Sequence, residues 1–308
     1  MTDKPLTRGP LSPGLVPALG RAQGTVLLAC IAIIVALAWV YLVLLGSEMM
    51  PMDAPKSASD GSMAGMDMPG MDMGGMSMEG MDMGAQASPR QPAAPTSGHA
   101  AMGGALSFGL LAAMWIVMMI GMMLPSATPM IMMAARVGQA RSVGGYEPLA
   151  GAGVFALGYL LVWVGFSLVA AAAQTGLQHA LLIDAHAMAL ISPIVSGVVL
   201  IAVGAYQWSP FKRLCLSNCR SPMGFLMARW RPGAANAVRV GAGHGLYCLG
   251  CCWVLMALLF VAGVMALPWV AALAVFVLLE KVAPKGEWIG RAGGLAMVGG
   301  GIYLIVAG

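Results

Sequence analysis

Two residue patterns in this chain of 308 residues could do metal chemistry. The first is a methionine repeat of period five, GMDMP-GMDMG-GMSME-GMDMG, from Gly65 to Gly84. It supplies Met66, Met68, Met71, Met73, Met76, Met78, Met81 and Met83. With Met49, Met50, Met52 and Met63 they make 12 thioethers in one segment. Glycine at every fifth position, with Asp and Ser between, supports neither a helix nor a packed core. The sulfurs are therefore not there for burial. Soft thioethers bind Cu(I) and discriminate against Mg, Ca and Mn. M-x-M spacing on a flexible chain lets two or three sulfurs wrap one ion. An oxidant sink acting through sulfoxide formation, or a plain linker, is the competing account, but a linker needs no thioether. His99 is an extra ligand or a solvated loop histidine.

The second pattern is thiol chemistry. Cys215 and Cys219 lie in CLSNCRSP, and Cys248, Cys251 and Cys252 in GHGLYCLGCCW. On a helix, His244, Cys248 and Cys251 or Cys252 fall at i, i+4, i+7 and i+8, which is one stripe. Two cysteines from the first motif and two or three from the second suffice for a closed thiolate site, suited to Cu(I) or Zn(II). The same thiols could instead exchange electrons, as in a membrane thiol–disulfide redox protein. That alternative explains the cysteines and not the methionines. Buried cysteine also packs as a small hydrophobe, the reading given to the isolated Cys30. His179, Asp184 and His186 sit in a short stretch where a satisfied interfacial histidine is a better account than a ligand.

A third set of sulfurs lies in WIVMMIGMMLP, Trp115 to Pro125. Met114, Met118 and Met122 share one helical face, with Met119 and Met123 beside them. Adaptable core packing uses methionine in this way. A thioether track for Cu(I), carried by Met118 and Met122, is the sharper reading. Pro125 and Pro129 are expected to break or kink this helix.

The elements that must hold these residues are membrane helices. Mean hydropathy is +0.84 and only 9% of residues are charged, against about 25% in soluble domains. Apolar runs long enough to span a bilayer give an all-α polytopic bundle of about seven transmembrane helices: 24–46, then roughly 105–124, 149–173, 188–208, 243–265, 268–279 and 288–307. Residues 1–23 form a cytoplasmic tail, 24–46 a retained anchor, 47–104 a disordered Met-rich outer loop, and 105–308 the helical membrane domain, with a Cys-containing cytoplasmic loop at 209–242. The first run exceeds a signal-peptide core and lacks a small-x-small cleavage pattern.

Charge sets the orientation. The 47–104 segment carries Lys56 and Arg90 against Glu48, Asp53, Asp60, Asp67, Asp72, Glu79 and Asp82, a net −5. Residues 209–242 carry Lys212, Arg213, Arg220, Arg229, Arg231 and Arg239 and no acid. An N-terminus inside places 14 of the 16 basic residues in the cytoplasm. The absence of charge from the middle of the runs argues against ion-coupled pumps. The absence of a phosphate-binding loop argues against ATP-driven ones. No basic patch with interleaved aromatics suggests nucleic acid. No nucleophile–base pair suggests hydrolysis, so enzyme activity is not expected.

The motifs WIVMMIGMMLPSATPM, CLSNCRSP, GLYCLGCCWVLM, VAGVM and EKVAPKG, in this order between Trp115 and Gly286, resemble a bacterial family of predicted metal-binding integral membrane proteins, described as copper-chaperone-like. The resemblance implies a helical membrane protein with metal-binding residues among the Met, Cys and Glu of these motifs. The resulting expectation is an inner-membrane copper-binding protein. It captures Cu(I) at the outer repeat and holds it, or passes it to a Met/Cys/His site for delivery, transport or insertion into a cuproprotein. Its partners are the lipid bilayer, a metal ion and that cuproprotein. A further alternative is an assembly partner that binds through its Gly-rich last helix (Gly293, Gly294, Gly299–Gly301).

Overall fold

The computed structural model describes residues 20–49, 108–141, 148–182, 190, 192–231, 233–264 and 266–307. The chain divides into two units, Met1–Met50 with Ala105–Gly308, and Pro51–Gly104. The second unit, with the whole methionine repeat and His99, lies outside the described residues. So do Asp184 and His186.

Among the described residues the first unit is helical, with no strand. Its helices are α1 (Arg21–Met49), α2 (Phe108–Arg141), α3 (Pro148–His179), α4 (Pro193–Tyr206), α5 (Pro210–Arg220), α6 (Pro222–Arg229), α7 (Ala234–Met256), α8 (Leu258–Ala262), α9 (Leu267–Val282) and α10 (Gly286–Ala307). Three consecutive starts share one local device, a serine followed by proline. The Ser192 side chain accepts from Val195 N and the Ser209 side chain from Phe211 N, while Pro193 and Pro210 open the helices without an orphaned N–H. Ser221-Pro222 opens α6 in the same sequence pattern, though without the side-chain bond.

Five of these helical stretches are long and apolar enough to cross a membrane: Arg21–Ser47, Phe108–Ala140, Leu149–His179, Ala234–Ala262 and Gly286–Ala307. The number becomes six if α4 and α5, bent by 61° at their junction, form one broken span. The expected count of seven needs α9 as well. With 16 residues, α9 is about 24 Å long at the α-helical rise, short of the roughly 30 Å of bilayer hydrocarbon.

Two expectations are corrected. The stretch 209–242 is mostly helical rather than a loop: it holds α5, α6 and the first turns of α7. The Ala-rich run from Ala234 favours helix, and Arg239 does not stop it. Cys248, Cys251 and Cys252 therefore lie in the middle of a long helix and do not open it. The second concerns the break named as one outcome at the prolines: α2 is continuous through Pro125 and Pro129 to Arg141, so no break occurs. Each proline removes one N–H from the ladder. Hydroxyls gather on the neighbouring carbonyls: Ser126 Oγ donates to Met123 O at 2.9 Å, Thr128 Oγ1 to Leu124 O at 3.1 Å, and Tyr159 OH of α3 to Met123 O at 3.2 Å. The carbonyls the prolines leave without a helical donor are those four residues back, Gly121 and Pro125, so these bonds fasten the carbonyls between them rather than replace the lost ones.

The core lies where α3 packs between α2 and α7. Trp115, Trp163, Tyr159, Phe155 and the α2 methionines are buried there. The α3–α7 approach is backbone to backbone. A Cβ on Gly158 would overlap the Val238 carbonyl, and one on Gly241 would overlap the Phe155 carbonyl. Gly197 and Gly204 of α4 meet Gly301 and Gly294 of α10 in the same reciprocal way.

Candidate metal centre

The centre is built on α7. Spacing puts His244, Cys248, Cys251 and Cys252 on its buried face, as the stripe argument expects. α5 supplies a facing stripe: Lys212, Cys215 and Leu216 are buried and Cys219 half-buried, at i, i+3, i+4 and i+7. Gly250 lets the two helices close. A Cβ there would stand 2.7 Å from Cys215 Sγ.

Cys248 is the hub. The thiols of Cys219, Cys251 and Cys252 lie around its own. Lys281 Nζ, from the last turn of α9, lies 2.8 Å from Cys248 Sγ and donates to Ser126 Oγ of α2 at 3.1 Å. Tyr159 OH of α3 is 3.1 Å from the same sulfur. Four helices thus meet at one sulfur, and α2 is joined to them through Lys281. The ammonium complements a negatively charged sulfur, the form that serves as metal ligand.

The four thiols do not form a finished coordination shell. Among the described residues, no three His, Cys, Asp or Glu side chains take up a metal-holding arrangement. The reason is local: Cys251 Sγ and Cys252 Sγ each donate to the Cys248 carbonyl at 3.0 Å, pointing back along their own helix. Cys215 lies beside the group but packs on Gly250. His244 is buried one turn from Cys248, with its ring stacked on Phe155 and Tyr159 and edge-on to Phe225. Its Nδ1 has no hydrogen-bond partner. Met118 and Met122 are buried with Met114, Met119 and Met123 in the core. This methionine face ends at the site, since the Met123 carbonyl accepts from Tyr159. His179 and Cys30 are exposed on α3 and α1, away from the thiols.

The spacing argument missed the cation. Lys281, Tyr159 and Ser126 touch the site, and next to Lys281 a second charge cluster is buried. Lys212 Nζ lies 2.6 Å and 2.9 Å from the two Glu280 carboxylate oxygens and also donates to Gln207 Oε1. Both charged side chains are 3% exposed. Gly290 of α10 leaves room for the carboxylate, because a Cβ there would overlap Glu280 Oε1. Arg220 Nη2 donates to Ala283 O at 2.6 Å and Pro284 O at 3.0 Å, tying the end of α5 to the α9–α10 turn. The signal in the sequence was the adjacent pair Glu280-Lys281 closing an apolar run, which looks like a solvated helix end. Its burial also removes the basis for excluding ion coupling on the ground that the membrane domain holds no inner charges.

Residues 112–304 match the model of the PpoB2 family, described as a copper chaperone. The chain belongs to this copper chaperone family. The match runs from α2 into α10, so it contains every thiol of the centre, Lys281 and the Lys212–Glu280 pair. It leaves out α1 and the methionine repeat. The resemblance carried by the WIVMMIGMMLP, GLYCLGCCW and EKVAPKG motifs falls inside it. No curated protein and no solved structure matches the chain.

Proposed function

We propose that this member of the copper chaperone family is a bacterial inner-membrane protein. It collects Cu(I) at the extracytoplasmic M-x-M repeat and holds it at the Cys219/Cys248/Cys251/Cys252 cluster for delivery to a cuproprotein. The N-terminus is inside, and α9 completes a seventh crossing, its 16 residues matched by local thinning of the bilayer. The observation that carries the reading is the convergence of thiols from α5 and α7 on Cys248 beside a lysine ammonium. Loading exchanges the two thiol–carbonyl bonds of Cys251 and Cys252 for sulfur–metal bonds and releases protons. The surrounding apolar wall keeps water from competing. Zinc is a second fit for a four-thiolate site.

The contact between Cys219 and Cys248 also favours a second reading, a thiol–disulfide relay between α5 and α7. One experiment separates the two. Full-length protein purified from copper-supplemented cells is analysed for metal, beside Cys248→Ser. The proposal expects copper in excess of zinc, and loss of most of the copper that resists removal by a thioether-competing chelator in the variant. A relay expects unchanged copper and a trapped mixed disulfide at Cys219. Unchanged copper without a disulfide would reduce these cysteines to packing and leave the methionine repeat as the only copper site.

A further inference from the structure

A cavity of about 1150 Å³ opens between α5, α6 and the start of α7. Two different walls line it. One is basic: Arg229, Arg231 and Arg239 surround it, and no acidic residue does. Arg229 is held in place, with its guanidinium 4.6 Å from the Phe225 ring centroid and 5.7 Å from that of Tyr247. Asn236 Nδ2 donates to the carbonyls of Arg229 at 3.4 Å and Arg231 at 3.0 Å, which fixes the segment that presents them. The guanidinium groups of Arg231 and Arg239 have no side-chain partner among the described residues, and both side chains are exposed. The other wall is apolar: Phe211 of α5 and Leu246 of α7 line the cavity and are themselves 55% and 61% exposed. Neighbouring Leu214 is exposed on the same short helix.

A free cytosolic anion has no use for the apolar wall, and a hydrocarbon chain has no use for three arginines. An amphiphile with a negative headgroup uses both. Basic clefts between membrane helices on the cytoplasmic side bind acidic lipid headgroups, and arginine suits a phosphodiester because its planar fork donates in pairs. We propose that this cavity holds the headgroup of an acidic phospholipid. Its phosphate sits on Arg229, Arg231 and Arg239, and its acyl chains run along Phe211 and Leu246. The site rests on the chain being a membrane protein and is independent of copper.

The test uses delipidated full-length protein in detergent, titrated with phosphatidylglycerol, with phosphatidylcholine of the same chains, and with inorganic phosphate, and read by native mass spectrometry. The expected result is one phosphatidylglycerol retained about tenfold or more better than phosphatidylcholine, given the usual attraction of each basic residue to an acidic lipid. Arg229→Gln/Arg231→Gln/Arg239→Gln should abolish that preference, and Arg213→Gln/Arg291→Gln, outside the cavity, should keep it. Copper content is measured in the same samples and should stay unchanged, so a failure of the copper reading leaves the lipid result standing. Equal retention of the two lipids by the unmodified chain overturns the proposal without any variant. Displacement of phosphatidylglycerol by millimolar phosphate assigns the cavity to a free anion and overturns the lipid source. Equal loss in the control variant shows diffuse charge attraction and overturns the site.

Discussion

A buried charge is stable only with its partner, and Lys212 with Glu280 is the clearest case in this molecule. Their side chains are 3% exposed and share two short contacts. Removing one partner strands the other charge, which costs about 3–5 kcal/mol, whereas replacing both with apolar groups of similar volume is often near neutral. Glu280→Gln should therefore lower thermal stability in detergent sharply. Lys212→Met/Glu280→Leu should recover much of the loss, read by the unfolding midpoint of each purified variant. A double variant no better than the single one would mean that the pair does more than neutralise itself. At this scale the sequence was informative about sulfur and poor about charge. Cys248, Cys251 and Cys252 announce themselves by spacing. Lys281 does not, because a lysine after an apolar run reads as a snorkelling end until α2 and α7 are seen around it.

Helix contact decides which glycines matter. Gly241 faces the Phe155 carbonyl with no space for a Cβ, while Gly165, on the same α3 that carries Phe155, has nothing within 4 Å of a Cβ. Gly241→Ala should force α3 and α7 apart and destabilise by about 1–3 kcal/mol, the usual cost of overpacking. Gly165→Ala should be neutral or gain up to about 1 kcal/mol from helix propensity. Thermal unfolding of the two single variants checks this, and equal effects would refute the close approach. Elements were legible where apolar runs were long, as in α1, α2, α3 and α10. They were misread where charge or proline stood for a boundary. Lys212, Arg213 and Arg220 made α5 look like loop, although the Ser209-Pro210 start and the Lys212/Cys215/Leu216/Cys219 stripe were both visible. Pro125 and Pro129 looked like an end, although the apolar run continues past them through Met130, Ile131, Met132 and Met133.

At the scale of the whole molecule, the basic residues are unevenly distributed along the chain. The excess of Lys and Arg in 209–242 should keep that stretch cytoplasmic, and the net −5 of 47–104 should leave it outside. Reporter fusions after Met83 and after Arg231 should give opposite compartments. The same compartment for both would remove the separation of an outer methionine end from an inner thiol end. The all-helical class was readable from composition alone. The number of crossings was not, because α4 and α9 are short and sit against α10, where apolar length stops measuring membrane depth.

The bond from Lys281 to Ser126 joins residues 155 positions apart, and this gives the centre a birth order. During synthesis, α2, α3, α5 and α7 leave the ribosome before α9. Cys219 emerges 62 residues ahead of Lys281, an interval of several seconds at about 5–20 residues per second. Over the last 29 residues of that interval the nascent chain carries all its thiols without the lysine that faces Cys248. A truncated product stopped before α9 would hold the same cysteines with their cationic neighbour missing. The contact between Lys281 and Cys248 is thus made late in translation, with the arrival of the penultimate helix.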